Sequence, residues 1–169
     1  MSETESNIDI NEIFENAMKD PEMFSTIDIE KLLENIENEK NNYLDGKTMI
    51  SINDEIYEKI NELGSCDHQE ICNKLIGYRY VDELHELHKG KHVRWIRLYK
   101  NDSQIDDIKL TNGGIVTDIK FMNNGTHVLC MNSTRRFIQY KFDECLTFQK
   151  LSMEEQLILM AYEHIEKDS

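Results

Sequence analysis

Apolar residues recur at helical spacing through the first half of the chain and alternate with polar ones through much of the second, so a helical region is expected to precede a β-rich one. Ile8, Ile10, Ile13, Phe14, Ala17 and Met18 form a short amphipathic run that Pro21 ends. Ser25-Thr26-Ile27-Asp28 offers N-cap oxygens for a longer helix carrying Ile29, Leu32, Leu33, Ile36 and Tyr43. A turn at Asp45-Gly46-Lys47 leads to Ser51, after which Ile52, Ile56, Ile60 and Leu63 keep helical register as far as Gly64. The two helices are expected to pair as an antiparallel hairpin. A third, shorter helix is predicted from Asp67 to Ile76, with Gly77 as its stop. Tyr78 to Leu87 reads as a junction in which Tyr80, Leu84 and Leu87 fit a helical turn.

From Lys91 the period changes. Val93, Trp95 and Arg97 fall on one side of a strand, with Arg94, Ile96 and Leu98 on the other. A polar loop over Asn101–Asp107 precedes Leu110–Phe121, where Gly113-Gly114 marks a bulge or sharp bend. Asn123-Asn124-Gly125 is a hairpin turn signal between that strand and Thr126–Met131. Asn132-Ser133-Thr134 then turns the chain into Arg136–Phe142, and Leu146–Phe148 is placed to close the sheet. Ser152-Met153-Glu154-Glu155 has the form of a capping box for a last helix with Leu157, Ile158, Met160, Ala161 and Ile165. The fold expected is α+β: an acidic N-terminal helical layer, a small bent antiparallel β-barrel and a C-terminal helix. Its parts are residues 1–24 as a mobile or short-helical segment, 25–89 as the helical region, and 90–169 as barrel plus helix. A barrel of about 60 residues buries too little surface to be stable alone, which calls for the helical layer.

Charge sharpens this division. The chain of 169 residues carries a net charge of -14. Residues 1–89 hold 8 Lys/Arg against 22 Asp/Glu, whereas residues 90–142 hold 9 against 4 and residues 143–169 hold 2 against 7. A basic β-rich centre thus sits between acidic flanks. The overall acidity opposes long-range attraction to nucleic acid or an anionic membrane, while a local basic face retains the capacity to hold phosphate. No apolar run approaches the roughly 20 residues that span a bilayer, and the first residues lack the basic and apolar regions of a secretory leader. A soluble, non-secreted protein with no membrane contact is expected, its four cysteines reduced.

The residues Tyr-Arg-Tyr-Val-Asp-Glu-Leu, Lys-Gly-Lys-His-Val-Arg-Trp-Ile, Leu-Thr-Asn-Gly-Gly-Ile and Phe-Gln-Lys-Leu-Ser lie between Tyr78 and Ile165, about half of the chain. That stretch resembles an uncharacterised class of proteins encoded by nucleocytoplasmic large DNA viruses. A basic strand followed by a double-glycine strand is also similar to Tudor-like and Sm-like small barrels. The resemblance implies a peptide, RNA or assembly module and not a reaction. It further implies other viral proteins as partners, and the host cytoplasm, a viral factory or the virion as the place of action.

Candidate chemistry is sparse. Cys66, His68, Cys72, His85, His88 and His92 are residue types that bind zinc, but no Cys-x-x-Cys pair organises them, so no metal or other cofactor is expected. No local signature pairs Cys66 or Cys130 with a histidine and an orienting carboxylate, so no catalytic residue is assigned. Trp95, Tyr99, Phe137 and Tyr140 have the composition of an aromatic cage for methylated cations, although Trp95 is better placed in a barrel core. Lys91, Arg94, Arg97, Tyr99, Arg135, Arg136, Tyr140 and Lys141 are the candidates for a nucleic-acid or partner contact. Alternation limits that set, because Arg94 and Arg97 lie three apart and fall on opposite faces of a regular strand. The expected role is a non-enzymatic interaction protein that uses a small barrel as a binding module, with a nucleic-acid-binding factor as the alternative and a zinc-binding protein as the lesser one.

Overall fold

The computed structural model describes Phe14, Glu15, Lys19 and residues 39–64, 67–100 and 103–168. The amphipathic run before Pro21 and the helix expected after Ser25 lie almost wholly outside the described residues. The chain divides into two compact units, residues 50–151 and the residues on either side of that span.

In the larger unit, helix α1 (Met49–Asn61) buries Ile52, Ile56 and Ile60, one side of the helix at four-residue spacing. Helix α2 (His68–Lys74) starts where the Asp67 carboxylate accepts the Glu70 amide at 3.1 Å. Gly77, at φ 85°, lets the chain leave the helix and enter strand β1 (Tyr78–Val81). The helical turn expected from Tyr78 is thus a strand, followed by a 3₁₀ turn at Leu84–Glu86. Its four residues are too few for a period to declare itself, and its partner strand lies some seventy residues further on.

The remaining strands are β2 (His92–Arg97), β3 (Tyr99–Lys100), β4 (Ser103–Gln104), β5 (Gly114–Met122), β6 (Gly125–Met131), β7 (Phe137–Lys141) and β8 (Cys145–Lys150). β3 and β4 form a separate ribbon, and the other six make one sheet in the order β1-β8-β2-β5-β6-β7 with antiparallel ladders throughout. The α+β class is therefore present, but the sheet is not closed into a barrel. Among the described residues β1 and β7 are free edges. The segment expected to close the sheet, Leu146–Phe148, instead runs between β1 and β2.

The open sheet is nonetheless strongly curled. Trp95 of β2 stacks on Tyr140 of β7 at 4.1 Å between ring centroids and 16° between planes, although β5 and β6 separate those strands in the sheet. The Tyr140 hydroxyl lies 3.1 Å from Thr147 Oγ1 on β8. Val81, Leu87, Val93, Val116, Val128 and Cys130 join the two rings in a core on the concave face. Two local devices permit the curl. At Gly113 (φ 74°) a Cβ would stand 1.8 Å from the Val93 carbonyl oxygen, and at Gly114 one would stand 2.6 Å from that of Met131. The bulge itself comes later, between Val116 and Asp118, leaving Thr117 as the extra residue.

In the smaller unit, helix α3 (Met153–Asp168) begins with the expected capping box: the Glu155 amide donates to Ser152 Oγ at 3.1 Å, and the Ser152 amide to Glu155 Oε1 at 3.0 Å. The Tyr43 hydroxyl donates to Glu155 Oε2 at 2.7 Å, and Tyr162 donates to Asp45 Oδ1 at 3.3 Å. These bonds tie a 3₁₀ turn at Glu39–Leu44 and the turn after it to the helix. Among the described residues no helix is long and apolar enough to cross a membrane.

Candidate interaction surface

The ladder registers assign each side chain to a face of the sheet, because residues directly opposite one another share a face. Val93, Trp95 and Arg97 pair with Gln149, Thr147 and Cys145 on the concave side. Tyr78, Tyr80, His92, Arg94 and Ile96 lie on the convex, outer side with Lys150, Phe148 and Leu146.

These assignments scatter the basic and aromatic candidates. Tyr140 is 2% exposed, and burial pushes its hydroxyl pKa far up, so it is part of the core and not a stacking platform. Arg94 donates through Nε to the Thr111 carbonyl at 2.9 Å and through a terminal nitrogen to the Lys74 carbonyl at 3.3 Å, so it clamps α2 and the loop before β5 onto the outer face. Lys141 pairs with Glu144 at 3.5 Å. Tyr99 is exposed on the β3–β4 ribbon. The aromatic cage is not assembled, since Trp95 and Tyr140 pack against each other while Tyr99 and Phe137 are exposed.

A cleft of about 620 Å³ opens at one end of the concave face between Trp95, Arg97, Ile105, Ile138 and the Asn132-Ser133-Thr134 turn. Arg97 hydrogen-bonds the Cys145 thiol, whose pKa burial pushes up to about 11, and Lys109 pairs with Asp107 at 3.0 Å. Burial also pushes the Cys130 thiol up to about 12, so neither cysteine carries a thiolate near neutral pH. Among the described residues no three His, Cys, Asp or Glu side chains gather as a metal site, and Cys66 lies outside them.

The outer face offers a different arrangement. Ile115 stands opposite Met131, and Met131 opposite Phe137, so one row of apolar side chains crosses β5, β6 and β7. Ile115 is 47% exposed and Phe137 62%, with Met131 half-buried between them. The row ends at the free edge β7, and Arg135 and Arg136 are exposed in the turn that leads into Phe137.

Beside Ile115 lies a second pocket, of about 460 Å³, lined by Tyr78, Gly90, Lys91, His92, Lys150 and Leu151 as well. No carboxylate lines it. The Tyr78 hydroxyl is 2.8 Å from His92 Nδ1. Burial raises the Tyr78 pKa above 10.0 against the opposing pull of Arg94, so the phenol keeps its proton. Burial, Arg94 and Lys150 hold His92 below 6.5. The imidazole is therefore mostly neutral at pH 7, with a single ring proton.

Of the eight candidates, the structure brings Lys91 to this pocket and places Arg135 and Arg136 at the far end of the apolar row. Tyr78, Ile115, Met131 and Lys150 are not among the sequence candidates, and His92 figures there only as a zinc-type residue. A signal for them existed in the alternation of β2 and of β8, but only the pairing of β1 with β8 sets Tyr78 beside Lys150. Comparison with protein-family models, curated proteins and solved structures gives no match for this chain.

Proposed function

We propose that this chain is a non-enzymatic interaction protein that docks a partner protein on the outer face of β5, β6 and β7. The observation that carries the reading is the in-register apolar row Ile115–Met131–Phe137, left exposed against a free edge strand. Exposed apolar side chains are ordinary when scattered, but a contiguous row beside unpaired backbone groups is the kind of surface that a partner covers. Nucleic-acid binding by a basic, aromatic face has less support, because Tyr140 is buried and Arg94 and Lys141 have partners within the fold. The resemblance to viral proteins supports a viral partner within a multiprotein assembly, in the host cytoplasm, a viral factory or the virion.

Affinity purification of the full chain from its native setting, with and without nuclease and alongside Phe137→Asp, tests the proposal. A defined protein set that survives nuclease and is lost from the Phe137→Asp preparation is the expected result. Loss of every partner on nuclease treatment, or retention of all of them by Phe137→Asp, overturns it.

A further inference from the structure

We propose that the pocket formed by Lys91, His92, Lys150 and Tyr78 binds a phosphoryl group on the partner segment that covers the apolar row. The inference rests on the docking surface proposed above and adds the chemistry of its ligand.

Charge is the first argument. In a chain of net charge -14, Lys91 and Lys150 make no ion pair with any described residue, yet both line one pocket that has no acid in its wall. The nearest outer-face carboxylate along β5, Asp118, is engaged by Lys89 at 3.3 Å, and its pKa is held down by the Ile119 amide and by Lys89. Two ammonium groups, with the Arg94 guanidinium acting on His92 from the same face, match a dianion better than a single carboxylate.

The hydrogen-bond donors are the second argument. Whichever of Tyr78 and His92 donates in their shared bond, one proton is left over, on His92 Nε2 or on the Tyr78 hydroxyl, as a neutral donor that costs no extra charge in a half-buried site. Lysine ammonium groups supply charge without demanding planar, two-pronged geometry, as suits the tetrahedral oxygens of a phosphate.

Continuity is the third. Ile115 belongs to both the pocket wall and the apolar row. From β2 to β7 the row crosses three strand spacings, about 14 Å, which an extended segment covers in about four residues. The partner motif is then a phosphorylated residue with large apolar residues three to four positions away.

The test uses the full chain and synthetic nine-residue peptides that carry one phosphoserine with a Leu-Phe pair three to four positions to either side. Unphosphorylated and Ser→Glu versions serve as controls, and inorganic phosphate and a single-stranded oligonucleotide are the competitors. The expected result is binding at least tenfold tighter for the phosphopeptide than for its unphosphorylated form. The Lys91→Gln/Lys150→Gln protein should lose this preference, and amide shifts on titration with inorganic phosphate should concentrate at Gly90, Lys91 and His92. Those shifts need no variant, so they decide the matter if the double substitution impairs folding. Equal binding of the phosphorylated and unphosphorylated peptides, no binding of the phosphopeptide, or phosphate shifts spread over the surface would overturn the proposal. So would displacement by the oligonucleotide at lower concentration than by the phosphopeptide, which would make the pocket a nucleic-acid contact. Phe137→Asp separates the two readings. If it weakens the unphosphorylated peptide while the lysine variant changes nothing, docking stands and the phosphoryl site falls; the reverse pattern leaves the phosphoryl site without the docking row.

Discussion

Both halves of the sheet's outer face carry large apolar side chains, yet these meet different fates. Over β1, β8 and β2, Phe148 and Ile96 are fully buried, Lys59 of α1 sits 5.1 Å above the Tyr80 ring, and Arg94 holds the end of α2. Over β5, β6 and β7 the equivalent row of Ile115, Met131 and Phe137 stays uncovered. Within the sheet the ladder between the halves is short: two pairs, His92 with Ile115 and Val93 with Gly114, extended by a bridge from Ile96 to Leu110 and by backbone bonds of Val116 with Gly90 and Lys91. Alternating apolar residues on a strand therefore announce a buried face without saying who buries it. Here one half is buried within the fold, and the other is exposed.

The sharpest way to break the comparison is to break the joint. Gly113→Val drives a branched side chain into the Val93 carbonyl from a backbone at positive φ, and a loss of at least about 4 kcal/mol is expected, enough to abolish cooperative thermal unfolding. Truncation then contrasts the halves directly. Phe148→Ala on the buried half is expected to cost about 3–5 kcal/mol, while Phe137→Ala on the open half changes stability by less than about 0.5 kcal/mol, both read from urea midpoints. Equal costs would mean that the open half is covered within the chain. On the concave side that the halves share, Tyr140→Phe keeps the ring stack but removes the bond to Thr147, for a loss of about 1 kcal/mol.

The smallest effect is a pH dependence at the seam. His92 is held below 6.5 in the folded chain, so between that lowered value and 6.5 the unfolded state binds a proton that the folded state refuses. Stability is full above about pH 6.5 and falls as the pH drops through this window. His92→Gln lacks this dependence, and its melting temperature should decline less than that of the native sequence between pH 7 and pH 5. A parallel decline in both proteins would remove His92 from the account.

Local signals in the sequence are legible where one short segment sets the geometry. Asn123-Asn124-Gly125 turns the β5–β6 hairpin with Gly125 at φ 129°, and Ser152 with Glu155 caps α3. Long-range pairing was less legible. The period of β7 separates Phe137, Gln139 and Lys141 from Ile138 and Tyr140, but it does not say which set faces inward, so Tyr140 looked as available as Tyr99. The extra residue at Thr117 moves later positions of β5 to the other face, which local alternation cannot foresee. The exposed apolar row depends on three strands in register, and the pocket on a strand whose sequence fits a helical turn.

The Trp95–Tyr140 stack turns the molecule into its own optical gauge. Trp95 is the chain's single tryptophan, and its ring meets Tyr140 only while β2 and β7 curl toward each other across two intervening strands. A slackening of that curl would bring water to the indole and shift its emission to longer wavelength, even with every ladder intact. Set beside a backbone signal such as far-ultraviolet circular dichroism, the light emitted by one residue thus distinguishes a sheet that flattens from a sheet that unfolds.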